Sequence, residues 1–491
     1  MRKWLQRVVD FLEELLDIPS SAWKWLAPTL LVSIIALGWL LYPLGIHADD
    51  YLEALTARRS GWKQLLTFQG APVPLLLSVW KLALPFSDGP PSGILRVAAA
   101  TVHIINSVLV YAALCGIFSR YTRLAAAMTF FAYRGGNWVL LWAATFKDAL
   151  MTLFVLLAVI LWRRGMEHPR CRLWASLPAA AAMMCKPTAI VLAPLLLLHQ
   201  LWMEDRDSWT LRLQKAAGGL LLVSSVLGAL LANALLNPGI WSGYTPGRGL
   251  PDIEYAPLYL AGMYSYLAAW SLLPVSPDLD IQSQSWLAAS GFIIICGIAA
   301  AFFRFDRMVK WGIAWHAAFT ALPLYANGGM PSPHYSYAAA FGLTLAVFRA
   351  GGLVYRRSSG ARPAILVVGI LWLAGTLVHW PSDLRLFHRM GKAGQDARHV
   401  ILAHKDDVLA SGRVYATSPH PRLLPLMTVN SHLFEFELGN PVRVVHPQSP
   451  ACPATDGIPC LYLAHSKAEL AACTSNAADS CMIWTPATRN P

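Results

Sequence analysis

The amino-acid sequence predicts an α-helical polytopic membrane protein of GT-C-like architecture, with about 11 transmembrane helices and a small C-terminal extracytoplasmic α/β domain. Three observations support this fold class: composition, the spacing of basic clusters, and the placement of cysteines. Of the 491 residues, 56% are hydrophobic and 13% are charged. A soluble domain carries about twice that share of charged residues, so the composition favours a membrane protein.

Long apolar stretches recur along the chain. About 20 apolar residues are needed for a helix to cross about 30 Å of hydrocarbon. The first stretch is too long for a secretory signal and lacks a clear cleavage site, so we expect it to remain as an anchor. The stretches are Trp25–Ile46, Ile94–Phe118, Trp138–Trp162, Ala216–Leu236, Leu287–Phe303, Tyr335–Val354 and Ala364–Trp380.

The positive charge is concentrated between these stretches. The net charge is +12, and its Lys and Arg residues form short clusters, such as Arg163, Arg164, Arg170 and Arg172. Alternating loops, including 275–286 and 327–333, contain none. This alternation is typical of the positive-inside rule and argues against nucleic acid as a partner. It predicts a cytoplasmic N-terminus and a C-terminal region on the extracytoplasmic side. The short loops and compact C-terminal region lack eukaryotic-type extensions, so we expect a bacterial inner-membrane location with the C-terminal region in the periplasm.

Four of the eight cysteines lie together near the C-terminus. These are Cys452, Cys460, Cys473 and Cys481. Cys460 follows Cys452 by eight positions, and Cys481 follows Cys473 by the same number. The spacing suggests disulfides 452–460 and 473–481, although four cysteines allow three pairings. Because disulfides persist in oxidising compartments, this segment is also expected outside the cytoplasm.

The chain divides into three regions. Residues 1–24 read as an amphipathic, cytoplasmic interfacial helix, and residues 25–380 as the transmembrane domain, whose first outer loop spans 47–93. Within that loop, Val73–Phe86 is too short to span and is expected to lie at the interface. Residues 381–491 are predicted to be a soluble domain with short strands. The strand-like runs are Arg413–Thr417, Val442–Val445, Cys460–Ala464 and Met482–Thr485.

The strongest candidate for catalysis is the segment His47-Ala48-Asp49-Asp50 directly after the first span. Burial beside a bilayer and a like-charged neighbour both raise a carboxyl pKa, which improves a general base. The structural alternative is that the aspartates cap the helix that begins near Tyr51.

Further polar residues interrupt otherwise apolar stretches. A charged side chain inside the bilayer has a high free-energy cost, and such residues are often functional. Structural alternatives exist for each: Lys147 and Asp148 as a self-neutralising pair, His103 and Asn106 as a staple between helices, and Lys186 and His334 as snorkelling side chains. These residues are Arg96, His103, Asn106, Lys147, Asp148, Lys186, His334 and Tyr335.

The order of these motifs along the chain resembles that in the GT-C superfamily of polyprenyl-phosphate-sugar-dependent glycosyltransferases, in particular in bacterial relatives of protein O-mannosyltransferases. The resemblance covers roughly residues 25–380. It rests on the acidic pair after the first span, Arg-x6-His-x-x-Asn (Arg96–Asn106), the Lys147-Asp148 pair, Lys186-Pro187-Thr188, and the aromatic run His334–Tyr337.

The resemblance implies an inverting transfer from a polyprenyl-phosphate-linked sugar to a hydroxyl of a glycan, lipid or protein acceptor. It makes Asp49 the general base with Asp50 beside it, and Lys147, Lys186 and His334 the donor-phosphate ligands. His47, Arg96, His103, Asn106, Asp148 and Tyr335 would support them. No cofactor is implied beyond the lipid-linked sugar as co-substrate. The acidic pair with His47 could hold a divalent ion, but sites for hard ions usually gather more oxygen ligands, so no metal is expected.

Three alternatives remain open. A lipid or polysaccharide transporter predicts an internal repeat, and no second copy of the interrupted Lys186 region is present. A non-catalytic envelope assembly subunit would use the polar residues structurally. An O-antigen-ligase-type enzyme would use a diphosphate donor and a long late outer loop.

Overall fold

The computed structural model is mainly α-helical. It describes residues 20–67, 73–203, 208–236, 304–326, 332–417, 431–440, 442–445, 460–464 and 481–485, with single helical positions between 264 and 302. Most of the predicted interfacial helix 1–24 and most of the predicted span Leu287–Phe303 lie outside the described residues.

Fourteen of the described helices precede residue 358, and four short 3-10 turns, at Leu84–Phe86, Ala143–Thr145, Pro187–Val191 and Pro333–Ser336, join some of them. The helices are α1 (Ser20–Leu41), α2 (Ala48–Arg59), α3 (Trp62–Thr67), α4 (Pro74–Ala83), α5 (Ser92–Ala113), α6 (Arg120–Ala132), α7 (Arg134–Leu141), α8 (Phe146–Arg164), α9 (Arg170–Trp174), α10 (Ser176–Cys185), α11 (Leu192–Met203), α12 (Trp209–Leu236), α13 (Arg307–Ala326) and α14 (Ala339–Arg357).

Among the described residues, three helical segments are long and apolar enough to cross a bilayer: Ser92–Ala113, Ala143–Arg164 and Trp209–Ala232. Shorter apolar helices occur at Pro28–Leu41 and Pro187–Met203. The structure is therefore that of a mostly helical membrane protein, whereas the count of eleven crossings stays a prediction. The short apolar segment of the first outer loop is helical as Pro74–Ala83 followed by a 3-10 turn.

The predicted span Trp138–Trp162 starts later in the structure, where the segment able to cross a bilayer is Ala143–Arg164 and residues 138–141 belong to α7. Helix α7 ends at Leu141, and Trp142 adopts an extended backbone before the 3-10 turn that leads into α8. The N–H of Ala144 donates to the Asp50 carboxylate at 3.0 Å, which fixes this break from outside the helix. Lys147 and Asp148 consequently lie in the first turn of α8 rather than in the middle of a span.

One long helix, α15 (Ala361–Ala403), runs across the predicted domain boundary at residue 381. Its second half packs on the helices that precede it. Arg134 Nη2 lies 3.0 Å from Asp383 Oδ1, and both side chains are buried. The Gly391 backbone lies directly against Leu44, with no room for a β-carbon. Residues 381–403 are thus continuous with a helix of the transmembrane region.

The C-terminal region contains a four-stranded sheet and two short helices, α16 (Lys405–Ser411) and α17 (Ser431–Leu438). Strands β1 (Arg413–Thr417), β2 (Arg443–Val445), β3 (Cys460–Ala464) and β4 (Cys481–Thr485) coincide with the four strand-like runs in the sequence. Their order is β2-β1-β3-β4. Strand β1 pairs in parallel with β2 and β3, and β4 is antiparallel to β3.

The cysteines are only partly described. Cys115, Cys171, Cys185 and Cys296 are not disulfide-bonded. Cys460 is disulfide-bonded, but Cys452 and Cys473 fall outside the described residues. Which cysteines pair in this region therefore stays a prediction.

Helix α17 docks on α2, the helix that carries the acidic pair. Arg58 donates to the Phe436 carbonyl at 3.0 Å, and its guanidinium lies 3.6 Å from the centre of the Phe436 ring. Arg59 pairs with Glu435. The predicted first outer loop, residues 47–93, is consequently in direct contact with the C-terminal region.

Candidate functional site

The two adjacent aspartates at the start of α2 have different environments. Asp50 is fully buried, and its carboxylate accepts three hydrogen bonds. Its Oδ2 accepts from the His47 N–H at 3.1 Å and the Ser92 hydroxyl at 2.6 Å. Its Oδ1 accepts from the Ala144 N–H at 3.0 Å. This carboxylate joins the start of α2 to the start of α5 and to the turn before α8.

Arg96 completes the surroundings of Asp50. Its Nη2 lies 3.6 Å from Asp50 Oδ2 and donates to the Gly45 carbonyl at 2.5 Å. Its Nε donates to the Leu141 carbonyl at 2.9 Å. A fully buried guanidinium needs such a carboxylate, because an unpaired charge in a protein interior is strongly unfavourable. Arg96 and Asp50 therefore hold the local backbone.

Asp49, in contrast, is exposed to solvent. Protein nevertheless surrounds it closely, and this desolvation raises the pKa of the carboxyl to about 6. The positive charge of Lys147 opposes that rise, whereas Asp50 and Glu53 add to it. An accessible carboxylate with a pKa near 6 matches the requirements of a general base.

Lys147 links α8 to α2. Its Nζ lies 2.8 Å from Oε1 of Glu53, and both side chains are largely buried. Glu53 was not among the residues selected from the sequence. Its position four residues after Asp49 places the two carboxylates on one face of α2, so the helical period could have identified it.

Lys186 and Asp148 form a second ion pair. Lys186 lies at the end of α10, where the chain breaks before the 3-10 turn that leads to α11. Its Nζ donates to Asp148 Oδ1 at 2.6 Å and lies 5.2 Å from the centre of the Tyr335 ring. Asp148 Oδ2 is buried without a hydrogen bond among the described residues.

His334 lies beside this second pair, in the 3-10 turn before α14. Its Nδ1 is 2.7 Å from the Ser332 hydroxyl, and its ring packs edge-on against Trp142, with centroids 5.6 Å apart. It interacts electrostatically with both Lys186 and Lys147. Residues far apart in the sequence thus form one polar cluster: Asp49, Glu53, Lys147, Asp148, Lys186, His334 and Tyr335.

The remaining candidates lie in buried packing networks. His103 Nδ1 is 2.7 Å from the Tyr337 hydroxyl, and Asn106 donates to that hydroxyl at 3.1 Å and to the Ala149 carbonyl at 3.0 Å. This arrangement ties α5 to α8 and to the start of α14. His47 is buried against Phe387 of α15, with ring centroids 5.2 Å apart. Burial lowers the pKa of His47, which favours its neutral form.

No metal centre is formed by the part of the chain that the structure describes: three or more His, Cys, Asp or Glu side chains do not gather as ligands there.

Part of the chain is similar to a known protein family. Residues 88–230 match the family model described as dolichyl-phosphate-mannose-protein mannosyltransferase. This segment contains Arg96, His103, Asn106, Lys147, Asp148 and Lys186, whereas Asp49 and His334 lie outside it. A search of curated proteins found no match. The resemblance to the GT-C glycosyltransferases is therefore confirmed over residues 88–230, which match the dolichyl-phosphate-mannose-protein mannosyltransferase family and support a membrane glycosyltransferase of GT-C type.

Proposed function

We propose that this protein transfers a sugar from a polyprenyl-phosphate donor to a hydroxyl acceptor on the extracytoplasmic side of a bacterial inner membrane, with inversion. Asp49 acts as the general base. The observation that carries the proposal is the polar cluster itself, in which an accessible carboxylate of raised pKa lies with two lysines and a histidine.

The reaction follows from the chemistry of these groups. The acceptor hydroxyl attacks the anomeric carbon while Asp49 takes its proton. The bond between that carbon and the phosphate oxygen breaks, and the electron pair leaves with the lipid phosphate. Fixed cations stabilise the charge that develops on the departing phosphate. Lys186 and Lys147 supply them, and His334 adds a hydrogen-bonding ring nitrogen.

The division of the acidic pair supports Asp49 rather than Asp50 as the base. Asp50 accepts three hydrogen bonds and faces Arg96, so most of the roughly four acceptor positions of its carboxylate are already used. Asp49 has the solvent access that an incoming acceptor needs. Asp50 acts as the structural partner in this scheme.

The contact between α17 and α2 supports a common side of the membrane for the first outer loop and the C-terminal region. That placement agrees with the side inferred from the positive-inside pattern and the cysteines. The acceptor would then approach Asp49 next to the C-terminal region.

The decisive experiment compares a deletion strain complemented with wild-type protein, Asp49→Asn or Asp306→Asn. Asp306 pairs with Arg349 at 2.6 Å and lies outside the polar cluster, so its variant is the control for losing a carboxylate. Mass spectrometry of lipid-linked sugars and envelope glycans is the measurement. We expect lipid-phosphate sugar to accumulate in the deletion and Asp49→Asn strains only. Unchanged sugars in the deletion strain would reject the glycosyltransferase function, and full complementation by Asp49→Asn would reject the base.

A further inference from the structure

Glu53 and Lys147 form an ion pair within the polar cluster. Neither the sequence motifs nor the family match assigns a role to this pair. Glu53 lies outside residues 88–230, and Lys147 lies within them. The two side chains meet at 2.8 Å although 94 residues separate them in the sequence. Their side chains are only 11% and 16% exposed, respectively. A pair this buried is held more firmly than a surface ion pair, whose geometry is usually loose.

The backbone on both sides of this pair is fixed independently. Helix α2 is held by the hydrogen bonds of Asp50, and the turn that begins α8 is held through Ala144 by the same carboxylate. The Glu53–Lys147 contact therefore does not have to assemble the two helices. What it determines is the direction of a long, flexible lysine side chain.

The direction of Lys147 matters because its charge acts on both halves of the cluster. It interacts electrostatically with Asp49 on α2, and also with Lys186 and His334. An ammonium group held at that point is adjacent to the base and to the groups proposed for the phosphate. A lysine that turned away would serve neither.

We propose that Glu53 is a positioning residue that holds the Lys147 ammonium between the general base Asp49 and the phosphate-binding pair of Lys186 and His334. This inference rests on the proposed function for its role in transfer. The geometric part, that Glu53 directs Lys147 towards Asp49, is independent of any substrate and can be tested alone.

The test uses the titration of Asp49 in the full-length protein in detergent. A water-soluble carbodiimide reacts with protonated carboxyl groups, and mass spectrometry of the Asp49 peptide measures labelling as a function of pH. Three charged groups act on Asp49: Lys147 lowers its pKa, while Asp50 and Glu53 raise it. Of the two members of the ion pair, Lys147 changes the pKa of Asp49 more than Glu53 does. Glu53→Gln is therefore expected to shift the pKa of Asp49 in opposite directions, depending on whether Lys147 moves away or stays in place.

If Glu53 positions Lys147, Glu53→Gln releases the ammonium, and the labelling midpoint of Asp49 rises above that of the wild type, towards the midpoint of Lys147→Met. If Lys147 stays in place without Glu53, only a negative neighbour is lost, and the midpoint falls. Glu53→Asp keeps the charge and should bring the midpoint back towards the wild type. Asp306→Asn should leave it unchanged.

A midpoint that falls or does not move in Glu53→Gln overturns the proposal, whether or not the protein transfers sugar. A parallel assay with radiolabelled polyprenyl-phosphate mannose in membranes tests the role in transfer. We expect Glu53→Gln to lower the rate by about 10–100-fold, because small displacements of a catalytic group have effects of that order. Absence of transfer in the wild type would count against the proposed donor and would leave the titration result standing.

Discussion

The Asp50 carboxylate accepts a hydrogen bond from the Ala144 N–H at 3.0 Å and so joins the start of α2 to the break before α8. The same side chain accepts from Ser92 at the start of α5. One buried carboxylate thus sets the relative positions of Asp49, on α2, and Lys147, on α8. This connection explains why the acidic pair contains one exposed and one buried member.

We predict that Asp50→Ala destabilises the protein far more than Asp49→Ala. Loss of Asp50 leaves Arg96 buried without its carboxylate, and breaking a buried pair in this way costs about 3–5 kcal/mol. Thermal unfolding in detergent, followed by tryptophan fluorescence, measures the difference. Equal unfolding midpoints for the two variants would show that Asp50 does not hold this junction.

The transfer rate should depend on the ionisation of Asp49. Because its pKa is raised to about 6, the carboxylate form required of a base disappears as the pH falls below about 6. We expect the rate to drop about tenfold for each further pH unit on that limb. In Asp49→Asn any residual rate should lack this limb. Circular dichroism over the same pH range controls for unfolding.

The raised pKa of Asp49 also makes the stability of the protein depend on pH, in the opposite direction from the transfer rate. The folded protein binds the Asp49 proton more tightly than the unfolded chain, whose pKa is near 3.8. The contribution of Asp49 to the free energy of unfolding therefore decreases as the pH rises from about 4 to about 6. Asp49→Asn should remove this part of the pH dependence, which a comparison of urea unfolding at the two pH values would detect.

The Lys186–Asp148 pair allows structural and functional effects to be separated. Lys186→Met leaves a buried carboxylate without its partner, so we expect a lower unfolding temperature and no transfer. Lys186→Met combined with Asp148→Leu removes both charges, and such replacements are often neutral for stability. We expect the double variant to recover the unfolding temperature but not the transfer. Recovery of transfer would show that Lys186 has only a structural role.

The contact between Gly391 of α15 and Leu44 gives a test of packing. A β-carbon at Gly391 would collide with the Leu44 carbonyl, and Gly45 beside it has a φ of 80°, which favours glycine. We expect Gly391→Ala to displace α15 and lower the unfolding temperature. The matched control is Gly352→Ala on α14, where nothing lies within 4 Å. There alanine should be neutral or stabilise the helix by up to about 1 kcal/mol.

The sequence alone determined the class of the protein and much of its local structure. Apolar length, basic clusters and the ordered motifs identified a membrane protein that resembles GT-C glycosyltransferases, and the four strand-like runs coincide with β1 to β4. Those signals are local, because hydrophobic length and side-chain alternation act within one element. They also selected Asp49, Lys147, Lys186 and His334, since charges in apolar surroundings stand out without a structure.

Only the tertiary structure decided which of these charged residues are neutralised by partners and which remain accessible. Asp50 differs from Asp49 because its partners, Ser92 and Ala144, come from 42 and 94 residues away in the chain. The break at Trp142 and the role of Glu53 depend on contacts of the same kind. A pattern in the sequence shows that a charge is present, but whether it is neutralised or left accessible depends on which distant groups the fold brings against it.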